Sequence, residues 1–279
     1  LSSSLSARFI TKPDSATGEG GPPPLFCRYF SVSFGGQMKS HKIALLFSLL
    51  SVSPLAISSG FGLDATRVIY NQSEGSAAVT VRNNTADTTY LVKSAVSSDV
   101  DGRRISPSFV VSPALVRMDP GSSNALRIRQ LHPAELASDR ESLFYFQTTG
   151  IPGSKNPLAR NSAAGFSSVG GQISFGVGNT VKLFYRPEGL PPPGKDTYQK
   201  MVFERVPGAL RVTNPTPYYM TLSRLRVDGK PVHFSPRQPS MIAPSASQVY
   251  GIGSSQKKRV NWSVINDFGG TQEFESVVH

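Results

Sequence analysis

Cysteine is almost absent from this chain. Cys27 is the one thiol in 279 residues, so no intramolecular disulfide and no multi-thiolate metal site can form. Histidine is scarce as well. His41, His132, His233 and His279 stand far apart, and none has the spacing of a metal-binding pair. There is no Gly-x-Ser-x-Gly elbow, no phosphate-cradling glycine loop and no His-Glu-x-x-His. Carboxylates are plentiful, but none forms a recognisable acid–base pair. These absences cover the common hydrolase, nucleotide-binding and metalloenzyme classes. They predict a protein that is not an enzyme, with no metal, no cofactor and no small-molecule substrate. Long amphipathic helical periods are also lacking, whereas 25 Gly and 22 Pro supply many turns. An all-β chain follows.

The N-terminal part does not look folded. Residues 1–37 are rich in Ser, Gly and Pro and read as an upstream, non-structural extension. From Met38 the character changes. Lys39 and Lys42 form a positive segment, 43–50 an apolar core, and Ala56, Ser58, Ser59 and Gly60 a small-residue end. That order is the pattern of a cleaved signal peptide over 38–59, with an apolar core too short to span a bilayer. A secreted protein is expected. The formal net charge of +11 is mostly retained beyond this leader. The positive residues are dispersed, and Lys257-Lys258-Arg259 is their one run. A run this short reads as a solvated loop, so nucleic acid is not an expected partner. The charge favours encounter with an acidic protein instead.

Beyond the leader, short strands alternate with turns. Strands are expected over 63–70, 77–82, 88–96, 109–118 (interrupted by Pro113), 124–129 and 142–148, with one helical turn near 133–138. Seven strands at this spacing, counting the long one described next, predict an immunoglobulin-like sandwich over 60–187. A stiff linker with Pro191-Pro192-Pro193 follows. A second, smaller β-sandwich is expected over 188–279, with strands near 202–203, 210–212, 218–225, 248–252 and 259–265. Trp262 is assigned to its core.

One stretch stands apart, 172–187. Its apolar side chains fall at Ile173, Phe175, Val177, Val181, Leu183 and Tyr185, a period of two. Lys182 has the opposite parity. A Gly/Ser/Asn-rich loop of about twenty residues precedes it, a length uncommon inside compact domains. Two readings of the apolar row stand open. It is core of its own sandwich, which pattern alone favours, or it completes the sheet of another protein.

Six stretches in order resemble the periplasmic chaperones of the chaperone–usher pathway, the PapD-like family. They are Leu63-Asp64-Ala65-Thr66-Arg67, Asp119-Pro120-Gly121, Asp139-Arg140-Glu141-Ser142-Leu143-Phe144-Tyr145-Phe146, Val181-Lys182-Leu183-Phe184-Tyr185-Arg186-Pro187, Asn214-Pro215-Thr216-Pro217-Tyr218-Tyr219 and Ile265-Asn266-Asp267-Phe268-Gly269-Gly270. The resemblance implies two immunoglobulin-like β-sandwich domains in a boomerang arrangement. It implies a periplasmic chaperone for pilus or fimbrial subunits, acting by donor-strand complementation and delivering them to an outer-membrane usher. By motif position, Arg67 and Lys182 would anchor the C-terminal carboxylate of a subunit. Ile173, Phe175 and Val177 would be the donated row, and Glu141, Arg186 and Asp267 a salt-bridge network between domains. Those ion pairs are expected to be exposed and worth little in stability. Self-association over the donated row is a further option for the free chain. The competing reading is a secreted immunoglobulin-like structural or adhesive fimbrial protein. Two features depart from the family pattern. The loop 151–171 is long but no Cys accompanies it, and Gly176 and Gly178 weaken the donor strand.

Overall fold

The computed structural model describes residues 60–131, 136–153, 176–252 and 259–278. The leader over 38–59, Ile173, Phe175, Lys257, Lys258 and the first half of the expected helical turn near 133–138 lie outside the described residues. Those described form two β-sandwiches, each with its own apolar core.

In the first sandwich one sheet has the order β1 (Phe61–Leu63), β3 (Ala77–Asn83), β7 (Ser123–Gln130), β5 (Phe109–Ser112). The other has the order β2 (Arg67–Asn71), β9 (Val177–Arg186), β8 (Ser142–Pro152), β4 (Tyr90–Ser97), β6 (Leu115–Met118). All these pairs are antiparallel except β2 with β9, which run parallel. Alternation along each strand turns Val79, Val81, Val92, Phe146, Leu126 and Leu183 inward, where all are buried. An aromatic cluster joins the sheets: Phe109 packs edge-on against Tyr70 and Phe144, with ring centroids 5.2 and 4.9 Å apart.

Two expected strands each proved to be two. The stretch 63–70 divides into β1 and β2, which belong to opposite sheets. Asp64 is the pivot: its amide donates to Thr80 O at 3.0 Å and its carboxylate accepts the Thr80 N–H at 2.9 Å. The chain is thereby pinned to β3 before it crosses over. The stretch 109–118 likewise divides into β5 and β6, around a cis Ser112–Pro113 bond. Both breaks let one expected strand serve two layers.

In the second sandwich β10 (Val202–Val206), β11 (Ala209–Asn214) and β15 (Ala246–Gly251) form one sheet. The other has the order β13 (Lys230–Pro231), β12 (Met220–Val227), β16 (Arg259–Ile265), β17 (Thr271–Val277), and β14 (Met241–Ile242) pairs with β12. Trp262 is core, 4.5 Å from Phe203 between ring centroids. A helix of five residues, α1 (Lys195–Gln199), follows the proline linker. Sequence reading missed β17. Its outward face carries Glu273 and Glu275, and Phe274 is its single buried residue. An edge strand so charged has little apolar alternation to detect.

The two sandwiches share a buried device. Asn83 closes β3: its Nδ2 donates to the carbonyls of Thr88, Met118 and Asp119, and its Oδ1 accepts from Thr85 N–H and Oγ1–H. Asn214 closes β11 in the same way. Its Nδ2 donates to the carbonyls of Tyr218, Ile242 and Ala243, and its Oδ1 accepts from Thr216 N–H and Oγ1–H. Each Asn-x-Thr ties a strand end to two further segments. Removing a buried amide leaves several backbone groups without partners, at about 1–3 kcal/mol for each group left unpaired. Asn214→Ala is therefore expected to destabilise its sandwich by about 3 kcal/mol or more. Urea unfolding followed by the fluorescence of Trp262 checks this, and a loss below about 1 kcal/mol would contradict it.

Candidate functional site

The site is built on the parallel register of β2 and β9. Arg67 pairs with Lys182, Ile69 with Phe184, and Asn71 with Arg186. Val68 and Tyr70 point into the core, as do Leu183 and Tyr185. The alternate residues therefore face outward, and of them Arg67 and Arg186 hydrogen-bond to the second sandwich.

Arg67 is held from two sides. Its guanidinium lies 5.7 Å from the centroid of the Phe184 ring. Its Nη1 donates to Ile265 O at 3.1 Å, across the two sandwiches. Phe184 is in turn covered by Tyr219, 5.7 Å away between centroids. The buried Nε–H of Arg67 has no hydrogen-bond partner. Burial lowers the Arg67 pKa, opposed by the charge of Asp267. Burial also lowers the Lys182 pKa, and the adjacent Arg67 charge lowers it further. Among the described residues neither cation belongs to an ion pair. Like charges directly across a ladder repel, and half-burial weakens their hydration. An anion placed over the two relieves both penalties, and a carboxylate suits the free guanidinium and ammonium donors.

Four residues along β9 the electrostatics reverse. Arg186 is 2% exposed and Glu141 3%. Arg186 donates from Nε and Nη2 to Glu141 Oε1, at 3.1 and 2.7 Å. It donates from Nη1 and Nη2 to the Asp267 carboxylate, at 2.9 and 3.2 Å. Glu141 Oε2 accepts the Tyr219 N–H at 2.8 Å. The guanidinium also lies 5.5 Å from the centroid of the Tyr218 ring. Burial works against the Arg186 charge, but the Asp267 hydrogen bonds and the Glu141 carboxylate outweigh it and raise its pKa. The expectation of exposed, weak pairs is thus corrected. Asp267 is 23% exposed, and the Arg186–Glu141 pair is buried. The sequence carried no sign of this, because the cover comes from Tyr218 and Tyr219 on the second sandwich.

The turn bearing Asp267 is fixed in its own right. Asn266 Oδ1 accepts the Phe268 and Gly270 N–H groups at 3.1 and 2.9 Å. Gly269 has φ +81°, and a Cβ there would lie 2.6 Å from Thr66 Oγ1. Only glycine lets the turn close against the start of β2.

Val177 opens β9 and is 42% exposed. Ile173 and Phe175 lie outside the described residues. From Val177 to Val181 the strand pairs with β8 on one edge, while β2 reaches only Lys182 to Arg186 on the other. Sequence reasoning did not find this edge, nor Phe184, Tyr219 and Ile265 O as supports of Arg67. Apolar alternation on β9 had pointed only to its other face.

Residues 60–191 match the family described as pili and flagellar-assembly chaperone, PapD N-terminal domain. Residues 196–276 match pili assembly chaperone PapD, C-terminal domain. The chain belongs to the PapD-like chaperone family. It is 34% identical over 237 residues to the probable fimbrial chaperone LpfB of Escherichia coli O157:H7, covering 85% of this chain and 96% of that relative. It is similar to the crystal structure of the E. coli chaperone DraB, with TM-score 0.63 and 34% identity, covering 79% of this chain and 97% of that one. It is similar also to the Salmonella enterica SafA pilin in complex with the SafB chaperone, with TM-score 0.64 and 28% identity, covering 78% of this chain and 96% of that one. PapD-like proteins are assembly chaperones, not enzymes.

Arg186→Met removes the shared partner of two carboxylates. Breaking a buried pair from one side costs about 3–5 kcal/mol. Asp267→Asn, at the exposed end, is expected to cost less. Urea unfolding of both variants checks the order, and equal losses would contradict it.

Proposed function

We propose that this chain is a periplasmic chaperone that binds, folds and caps pilus or fimbrial subunits by donor-strand complementation and passes them to an outer-membrane usher. The observation that carries the proposal is the edge of β9 that is unpaired among the described residues and ends at the Arg67–Lys182 pair. A strand added there lies in line with β2. If its terminal carboxylate sits on the two cations, that strand points towards Lys182 and runs parallel to β9. The anchor then sets its register, since a slip of one residue would turn each side chain to the wrong face. Arg67 and Lys182 bind the carboxylate in this reading. Ile173, Phe175 and Val177 fill the open core of the subunit, each contributing roughly 1.5–3 kcal/mol when fully buried. Glu141, Arg186 and Asp267 hold the second sandwich where Ile265 O can orient Arg67.

Membership of a chaperone family supports this reading over a structural or adhesive fimbrial protein. The complex of the Salmonella relative with a pilin supports the kind of partner. The leader read over 38–59 supports the periplasm.

Co-expression with a fimbrial subunit from the same gene cluster tests the proposal. Lys182→Met and Arg67→Met are each expected to abolish recovery of the complex, and Phe175→Asp to reduce it at least tenfold. Full recovery with Lys182→Met would sink the anchor, and full recovery with Phe175→Asp the donated row.

The pH dependence has a defined sign. The folded free chain holds Lys182 below the usual lysine pKa. Between that depressed value and the usual one, the unfolded chain binds more protons. Stability of the free chain therefore rises with pH across this alkaline window. Capture of a carboxylate needs the ammonium, so binding falls over the same window. Lys182→Met is expected to flatten the rise in stability. Parallel melting and binding titrations of the free chain and the variant check both slopes.

A further inference from the structure

Lys182 has a second neighbour in register. On the side away from Arg67 it pairs with Tyr145 of β8. Phe144 and Phe146 point into the core and are buried, so Tyr145 points out, on the same face as Lys182 and Arg67. Arg67, Lys182 and Tyr145 thus form one row across three adjacent strands. Among the described residues the Tyr145 hydroxyl donates no hydrogen bond, although the ring is half-buried.

We propose that the Tyr145 hydroxyl is a third ligand of the carboxylate captured by Arg67 and Lys182. This rests on the carboxylate-anchor reading given above. The dimensions suit it. Arg67 and Tyr145 are two strand spacings apart, about 9.6 Å. A carboxylate lying across Lys182, with one hydrogen bond from each oxygen, spans about 8 Å. One oxygen then faces the Arg67 guanidinium, the other faces the phenol, and the Lys182 ammonium lies beneath both. A carboxylate has about four acceptor sites, so three donors do not exceed its capacity. Arg67 already spends one N–H on Ile265 O, which leaves room for a further donor. Burial raises the Tyr145 pKa, so the phenol keeps its proton in the neutral range. Unlike Arg67 and Lys182, it adds a donor without adding repulsion. It also distinguishes the two oxygens, giving the carboxylate a fixed roll about its own axis. A cation pair alone would leave that roll loose.

The test uses the mature chain and a synthetic peptide of about ten residues, alternating valine and threonine, made with a free C-terminal carboxylate or a C-terminal amide. The wild-type chain is expected to prefer the free acid. Tyr145→Phe keeps the ring and removes only the hydroxyl. It is expected to weaken the free-acid peptide about tenfold, as for loss of one hydrogen bond to a charged group, and to leave the amide peptide unchanged. The melting temperature of the variant is expected to equal that of the wild type, which excludes unfolding as the cause. If the wild-type chain prefers the acid and Tyr145→Phe retains the whole preference, Tyr145 is not a ligand while the anchor stands. If the wild-type chain binds both peptides equally, or neither, the anchor itself falls and this assignment with it.

Discussion

Five register pairs between β2 and β9 organise the molecule. Their parallel direction is the exception in two otherwise antiparallel sandwiches. Strict alternation along both strands sends one set of side chains into the first core and the other set outward. Because β2 begins at Arg67, the earlier part of β9 has one edge unpaired among the described residues. A single ladder thereby places the cations, the junction with the second sandwich and the open edge in a line. Shifting it by one residue would bury Lys182 and expose Leu183.

Two charge arrangements of opposite kind stand four residues apart on that ladder. Arg186 is deeply buried and satisfied by two carboxylates and a ring face, so it is part of the folded structure. Arg67 and Lys182 are half-buried without an anionic partner among the described residues, so their charges are left uncompensated. The first arrangement supports the second. Glu141 takes the Tyr219 amide, Tyr219 covers Phe184, and Phe184 lies beneath the Arg67 guanidinium. Ile265 O, which receives the Arg67 hydrogen bond, is two residues from Asp267. The ion-pair network is thereby linked through these contacts to the direction in which Arg67 offers its remaining donors. Its burial also gives it a share in stability that exposed pairs lack.

Much of this was legible in the residues themselves. Period-two alternation marked most strands, and turn chemistry marked their ends. The absence of paired catalytic groups pointed away from enzymes. The opposite parities of Lys182 and its apolar neighbours follow from spacing alone. Other features were hidden. At Asp64 and Pro113 an expected strand divides between two sheets, and nothing local announces a change of sheet. Glu273 and Glu275 masked β17. Asn83 and Asn214 fall just past the expected strands 77–82 and 210–212, and their role was hidden because the carbonyls they satisfy lie on segments up to 36 positions away.

Sequence by itself determined the all-β class, the two-sandwich division and which side chains on each strand share a face, because these depend on local period and turn residues. Tertiary structure alone decided that Arg67, Lys182 and Tyr145 form one row, that Arg186 is buried, and that among the described residues the first half of β9 is paired on one edge. Those properties depend on register between strands far apart in the chain and on the cover that one sandwich provides for the other. Neither is encoded in the spacing of neighbouring residues.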